Sequence, residues 1–352
     1  MSKLKRKLYK HLWFFKPLSY TSLAILTIFL LIYLTPKSFT LIKKSLAVPK
    51  NLISAINPSI QHLNSYKNRT NILLLGAGGG NHDGADLTDS IMVISVDQTT
   101  ADTVLISLPR DIWVESLSSK LNAAYMLGEE KQKNGGLTLT KSAVSEIINQ
   151  PIHYAVLLDF SGFKEAIDVV EGISVNVPHS FVDNQYPIPG KEAVMPEENR
   201  YEKLEFKSGQ QTMNGATALK YVRSRHAEGI EGTDYARSQR QQLIILSFKD
   251  KLLKANTLFD LKKIRQLKTV FNYSVKTDLP SKTYLDLFKL GVKLDQTNIR
   301  TGIIDQGSED EDIPALLYNP PASLYGQWVL LPVNDDWQAI FDHVESILYQ
   351  NR

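Results

Sequence analysis

IMVISVDQTTADTVLISL, residues 91–108, settles which fold classes this chain can adopt. Two β-rich apolar runs, IMVISV (91–96) and TVLISL (103–108), are joined only by the polar DQTTAD. So short a connection predicts an antiparallel hairpin, because a parallel pair needs a crossover of roughly a dozen residues. The hairpin governs the reading of the stretch before it, NILLLGAGGG (71–80), an apolar strand that enters a glycine-rich loop. Such a loop suggests a phosphate cradle, but the dinucleotide fingerprint requires a helix and a parallel strand after it. The P-loop requires a Gly-Lys-Ser/Thr ending. Neither follows, so nucleotide binding is set aside.

Downstream, LNAAYMLGEEKQK and LTLTKSAVSEIINQ read as helices and HYAVLLDF (153–160) as a buried strand. FKEAIDVVEGISVNV repeats helix then strand, with Gly172 at the helix stop. Residues 178–210, rich in Pro, Asn, Gly and charge, read as a long excursion. Asn214 is placed to cap the helix GATALKYV, and Thr233 a longer one, DYARSQRQQLIILSFKDKLLK. QWVLLPV (327–333) reads as a late strand. The mixture is α/β or α+β.

The 352 residues suffice for one large domain, and the absence of cysteine excludes disulfides, thiolate chemistry and cysteine-bound zinc. The net charge of +3 conceals an asymmetry. Residues 1–70 hold twelve Lys or Arg and no acid, which leaves 28 basic residues against 37 acidic ones, net −9, in the remainder. A nucleic-acid-binding domain carries the opposite sign, so no nucleic-acid partner is expected. Residues 18–35, LSYTSLAILTIFLLIYLT, are uncharged and predict a single membrane-spanning helix, with Trp13, Phe14, Phe15 and Tyr20 at the interface. A signal peptide would share the basic start and the apolar run, but no small-x-small cleavage site follows promptly. Six cations precede the span and Lys37, Lys43, Lys44 and Lys50 follow it, a bias that puts the N-terminus in the cytoplasm. The expected organisation is a cytoplasmic segment 1–17, the span 18–35, a juxtamembrane stalk 36–70 and an extracytoplasmic domain 71–352.

YVRSRHAEGIEGTDYARSQRQQ (221–242) concentrates four arginines inside this acidic domain. Arg223 and Arg225 face the same way if the chain there is extended. Arg237, Arg240 and Gln241, three and four residues apart, are expected to share one helix face. Guanidinium forks match phosphate oxygens, so the cluster suggests a polyphosphate site; the competing reading is a solvated face of weak ion pairs.

The segment from Gly209 to Arg225, GQQTMNGATALKYVRSR, followed by DYARSQRQQ, resembles the signature of the LytR–CpsA–Psr family. So do TDSIMVISV (88–96), SLPRD (107–111), KLNAAY (120–125) and VVEGISV (169–175), in that order. The resemblance covers roughly residues 71–255, with 256–352 as an extension of the same domain. It implies an α/β/α sandwich around a mixed, largely central β-sheet, behind the membrane helix. It also implies a cell-envelope phosphotransferase that moves a glycopolymer from a polyprenyl-pyrophosphate carrier in the bilayer to peptidoglycan, with Mg2+ assisting. By the same resemblance, Arg110, Arg223, Arg225, Arg237 and Gln241 match pyrophosphate-binding positions. Arg240 stands among them or directly behind them. Lys120 is a weaker phosphate candidate. Asp89 matches the magnesium-binding aspartate, and Asp234 the residue that orients the site or serves as general base.

Two departures affect the metal: Gly78 and Leu87 stand where relatives carry an aspartate and an arginine, and Asp83 or Asp86 is the replacement carboxylate to consider. His82, His153 and His226 are not at metal-ligand spacing, and Trp113, Trp328 and Trp337 read as core or interface residues rather than sugar platforms. Alternatives to transfer are hydrolysis of polyprenyl pyrophosphate and non-catalytic binding of lipid-linked glycans.

Overall fold

The computed structural model describes residues 62–350 apart from 80–83, 189, 192, 253–256, 258–259, 285, 288–289, 291–298 and 308–313. The hairpin at its centre is β2 (Thr88–Asp97) and β3 (Thr103–Leu108), antiparallel, with Ile91 opposite Leu108 and Val96 opposite Thr103. β1 (Arg69–Ala77) lies antiparallel to β2 and parallel to β4 (Tyr154–Asp159). With β9 (Val275–Thr277) and β10 (Ile299–Ile303), they form a six-stranded mixed sheet in the order β9-β4-β1-β2-β3-β10. The residues numbered 256 and above therefore supply both edges of the main sheet.

Gly79, just after β1, has a steric explanation. Gly79 has φ +66°, and a Cβ there would meet the Asp159 Cβ at 2.7 Å. The chain turns sharply against the end of β4, a conformation that excludes other residues.

The central strands carry continuous apolar runs, Ile72–Leu75 in β1 and Ile91–Ile94 in β2, because both faces are covered, as in a buried sheet. On one face Leu73, Leu75, Val93, Val104 and Ile106 pack on Val144 and Ile147 of α2 (Gly136–Ile148) and on Ile340 and Val344 of α7 (Trp337–Glu345). Tyr125 of α1 (Ala124–Lys131) joins this core. A second core lies beyond the opposite face. It joins α3 (Phe160–Val169), α4 (Gly215–Arg223), α5 (Asp234–Leu252) and α6 (Leu261–Ser274) to β5 (Ile173–Val177), β6 (Phe181–Pro187), β7 (Tyr201–Phe206) and β8 (Gly209–Met213). The layers are α/β/α. Asn214 caps α4 by accepting from Thr217 N at 2.8 Å, and the Thr233 hydroxyl accepts from Ala236 N at 3.2 Å at the start of α5.

Three readings change. The excursion 178–210 holds paired strands, β6 with β7, Phe181 opposite Phe206, and the start of β8, which pairs with β5. In QWVLLPV only Leu331 and Pro332 form a strand, opposite Leu317 and Tyr318. The stalk does not extend to residue 70, since Leu63 is in a core with Val96 and Tyr154, and Arg69 is fully buried against Asp102 at 2.8 Å. The expected membrane helix at 18–35 lies outside the described residues, among which no helix is long and apolar enough to cross a membrane.

Candidate active site

Alternation along the strands builds the site. Leu73 and Leu75 face the first core, so Leu74 and Gly76 face the other way; Val156 and Leu158 alternate with Ala155 and Leu157 in the same manner. With Met92 they form the floor of a cavity of about 400 Å³. Its roof is Phe160 and Phe163 of α3, Leu219 and Val222 of α4, and Ile244 and Ile245 of α5. The same cavity is also lined by Asp89, Arg110, Arg223, Arg225, Arg237 and Gln241. Four guanidinium groups and one carboxylate thus border an apolar chamber.

Arg223 is the last residue of α4, exposed, with its guanidinium 5.0 Å from the Phe160 ring centroid. The segment 223–225 is a helix end rather than an extended strand, yet both arginines reach the cavity. Asp183 holds the turn. Its Oδ2 accepts from the Ser224 hydroxyl at 2.7 Å and from the backbone N–H groups of Arg225 and His226 at 3.2 Å each. Burial pushes the Asp183 carboxyl up, but the hydrogen bonds from Ser224 and the backbone outweigh it and hold it below the ordinary carboxylate range.

On α5 the cavity stripe is Arg237, Gln241, Ile244 and Ile245, at helical spacing. The Ser90 hydroxyl donates to Gln241 Oε1 at 3.0 Å and ties this stripe to β2. Arg240 is not on that stripe. It is buried, 4.7 Å from the Phe181 ring centroid, and its Nη2 donates to the carbonyls of Ser224 at 3.0 Å and Glu231 at 2.9 Å. The expected common face of Arg237, Arg240 and Gln241 is divided: two line the chamber and Arg240 clamps the arginine loop from behind.

Arg110 follows β3 and pairs with Asp89 of β2. Asp111, 4% exposed, faces three cations: Arg110 Nε at 3.3 Å, Lys120 Nζ at 2.9 Å and Arg225 Nη2 at 4.0 Å. Burial raises the Asp111 carboxyl, yet the Lys120 hydrogen bond and the charges of Arg110, Lys120 and Arg225 bring it below its ordinary value. Burial likewise opposes the Arg110 charge, but Asp89 and Asp111 more than restore it. Lys120 therefore reaches Asp111 and does not line the chamber. Asp86 is exposed and away from the chamber lining, and Asp83 lies outside the described residues. Asp234 stands at the first position of α5. Among the other singled-out residues, Trp337 packs on the first core, Trp113 stacks edge-on against Tyr325, and Trp328 is exposed. Sequence reading assigned no role to Asp111 or Asp183. The adjacency of Asp111 to Arg110 in SLPRD was the available signal for the first; the second sits 41 residues from its partner and had none.

The family model of LytR_cpsA_psr matches residues 37–317. The chain belongs to the LytR–CpsA–Psr family. It is 27% identical over 277 residues to the polyisoprenyl-teichoic acid–peptidoglycan teichoic acid transferase TagU of Enterococcus faecalis, covering 76% of this chain and 81% of that one. It is 29% identical over 185 residues to the transferase of the same description, TagV, of Bacillus subtilis, covering 51% of this chain and 42% of TagV. The TagV crystal structure superposes with TM-score 0.55 at 24% identity, covering 81% of this chain and 98% of that one. A structure of TagT bound to LI-WTA has TM-score 0.52 at 19% identity, covering 82% and 96%. These structural likenesses establish the fold.

Proposed function

We propose that the protein is a membrane-anchored phosphotransferase that moves a glycopolymer from a polyprenyl-pyrophosphate carrier to peptidoglycan. The observation that carries this reading is the junction of an apolar chamber with four arginines. A ligand that satisfies both is amphipathic, with a hydrocarbon tail and a polyanionic head. Free nucleotides and sugar phosphates lack the tail, and fatty acids lack the charge. The names of the TagU and TagV relatives, teichoic acid transferases acting from a polyisoprenyl carrier, support the same class.

In the proposed reaction the tail lies between β1, β4 and the helices α3–α5, and the diphosphate lies among Arg110, Arg223, Arg225 and Arg237. Negative charge grows on the departing phosphate, and fixed guanidinium forks lower that barrier without reorganising. Gln241 orients a phosphate oxygen. Asp234 takes the proton of the acceptor hydroxyl. The donor set fits magnesium as a one-carboxylate site: Asp89 borders the chamber, and no group of three acidic or histidine side chains gathers among the described residues. Magnesium accepts few protein carboxylates when phosphates complete its shell; bound through Asp89, it would neutralise phosphate charge. Residues 18–35 anchor the chain, and the domain that follows lies outside the membrane, where its acceptor is.

The test is incubation of the full chain in detergent with a polyprenyl-diphosphate-linked oligosaccharide, with and without uncrosslinked peptidoglycan strands. Acceptor-dependent attachment of labelled glycan is expected. Polyprenyl phosphate released equally without acceptor would make the protein a hydrolase. Saturable donor binding with no turnover would make it a binding protein.

A further inference from the structure

A second cavity, of about 480 Å³, abuts the first and shares Arg225 and His226 with it. The chemistry of its walls differs. Beside Pro109 and Leu330 it presents the polar groups of Thr233, Tyr235, Asp305 and Gln306, and the indole of Trp328. Trp328 is 55% exposed, an unusual place for so large an apolar body. Its position is nevertheless fixed relative to the arginines. Two residues on, Leu330 N donates to the Asp111 carbonyl at 2.9 Å and the Leu330 carbonyl accepts from Trp113 N at 3.0 Å. Asp111 is the residue whose carboxylate faces Arg225. The Asp305 part of the lining is built as firmly, since Asp305 accepts Gly307 N on its side chain at 2.9 Å and Leu317 N on its carbonyl at 2.9 Å.

We infer that this cleft is the binding site for a saccharide, and that the saccharide is the acceptor glycan of the transfer. An aromatic face beside several hydrogen-bonding groups suits a pyranose ring, which has apolar C–H faces and a polar rim. Its size falls within the span of about 300–1,000 Å³ usual for small-molecule sites. The choice of acceptor over donor glycan follows from the chemistry of the proposed function, on which this inference rests. Phosphoryl transfer runs in line, the nucleophile entering opposite the leaving group. The carrier occupies the apolar chamber, so the nucleophile enters from the other side of the Arg225 wall. The acceptor hydroxyl oxygen forms a bond to the glycan-side phosphorus, and the bond from that phosphorus to the bridging oxygen breaks. Polyprenyl monophosphate leaves with that electron pair. The hydroxyl proton goes to Asp234, which lies in the chain between Thr233 and Tyr235 of the cleft wall.

Trp328→Ala changes an exposed side chain, and its urea midpoint should match that of the wild type. Steady-state transfer with the full chain should show the KM for an uncrosslinked peptidoglycan strand raised by about tenfold in Trp328→Ala. The donor KM should stay within about twofold, and Trp328→Phe should restore most of the loss. Saturation-transfer NMR between the same strand and the protein, which needs no turnover, should lose its signal in Trp328→Ala. A raised donor KM with an unchanged acceptor KM would overturn the inference and give the cleft to the donor glycan. Unchanged acceptor KM and NMR signal would overturn it outright. Strand binding that depends on Trp328 in a protein that transfers nothing would uphold the saccharide site and defeat the transferase reading.

Discussion

The two faces of β1 are made of the same residue types and serve opposite ends. Leu73 is buried in a closed core and absent from the chamber lining, whereas Leu74, one position on, is half-buried and lines the chamber. Nothing in the hydropathy of LLL distinguishes them. The distinction comes from what covers each face: α2 and α7 pack directly on one, while α3, α4 and α5 stand off the other on a core of their own. Apolar surface is therefore a measure of burial on one side and of ligand capacity on the other.

The strongest test of that contrast is a pair of truncations. Leu73→Ala should cost about 2–5 kcal/mol in chemical denaturation, the range for emptying a packed site. Leu74→Ala should cost under about 1 kcal/mol, since its side chain already borders open volume. Equal losses would mean that the chamber is part of the closed core. Next in size is the head-group side. Arg225→Lys should lower turnover by on the order of a hundredfold, since an ammonium cannot reproduce the fork, with the denaturation midpoint unchanged. A variant with native turnover would remove Arg225 from the reaction.

Asp183 sharpens the contrast from behind the arginines. Asp183→Asn should cost about 1–3 kcal/mol at neutral pH by weakening charge-assisted bonds to Ser224 and two backbone amides. The sign with pH follows from the depressed carboxyl. Its stabilisation is complete above the ordinary value of 3.8 and fades as pH falls through the lower folded-state value. Urea midpoints of wild type and variant should thus converge below pH 3.8, and a gap that persists there would assign the effect to shape rather than charge. The smallest effect belongs to the chamber lining. Leu158→Ala should weaken donor binding about threefold to tenfold for long polyprenyl chains. It should have no effect on a donor with a tail too short to reach β4, a comparison read directly from KM.

The sequence disclosed those features whose cause is local. The β2–β3 hairpin follows from six residues between two β-rich runs, and the Asn214 and Thr233 caps from one side chain each. Residues 178–210 concealed β6 and β7 because prolines and charges break the period-2 pattern and the pairing partner is about twenty residues away. QWVLLPV shows the reverse, an apolar run with strand composition of which only two residues pair. Within the site, the arginine cluster was visible as composition. The separation of Arg237 from Arg240 was not, because it depends on which side of α5 meets Phe181 and which meets the sheet.

The contact between Arg110 and Asp89 has one more consequence. Asp89 is a counterion of Arg110, as Asp111 is on its other side, so the pair carries its own neutraliser. A lone divalent cation drawn to Asp89 meets the repulsion of a guanidinium beside it, and a lone phosphate drawn to Arg110 meets a carboxylate. A cation and a diphosphate arriving together repay both partners at once. On the proposed chemistry the pair acts as a coincidence detector, indifferent to either input alone and responsive to both.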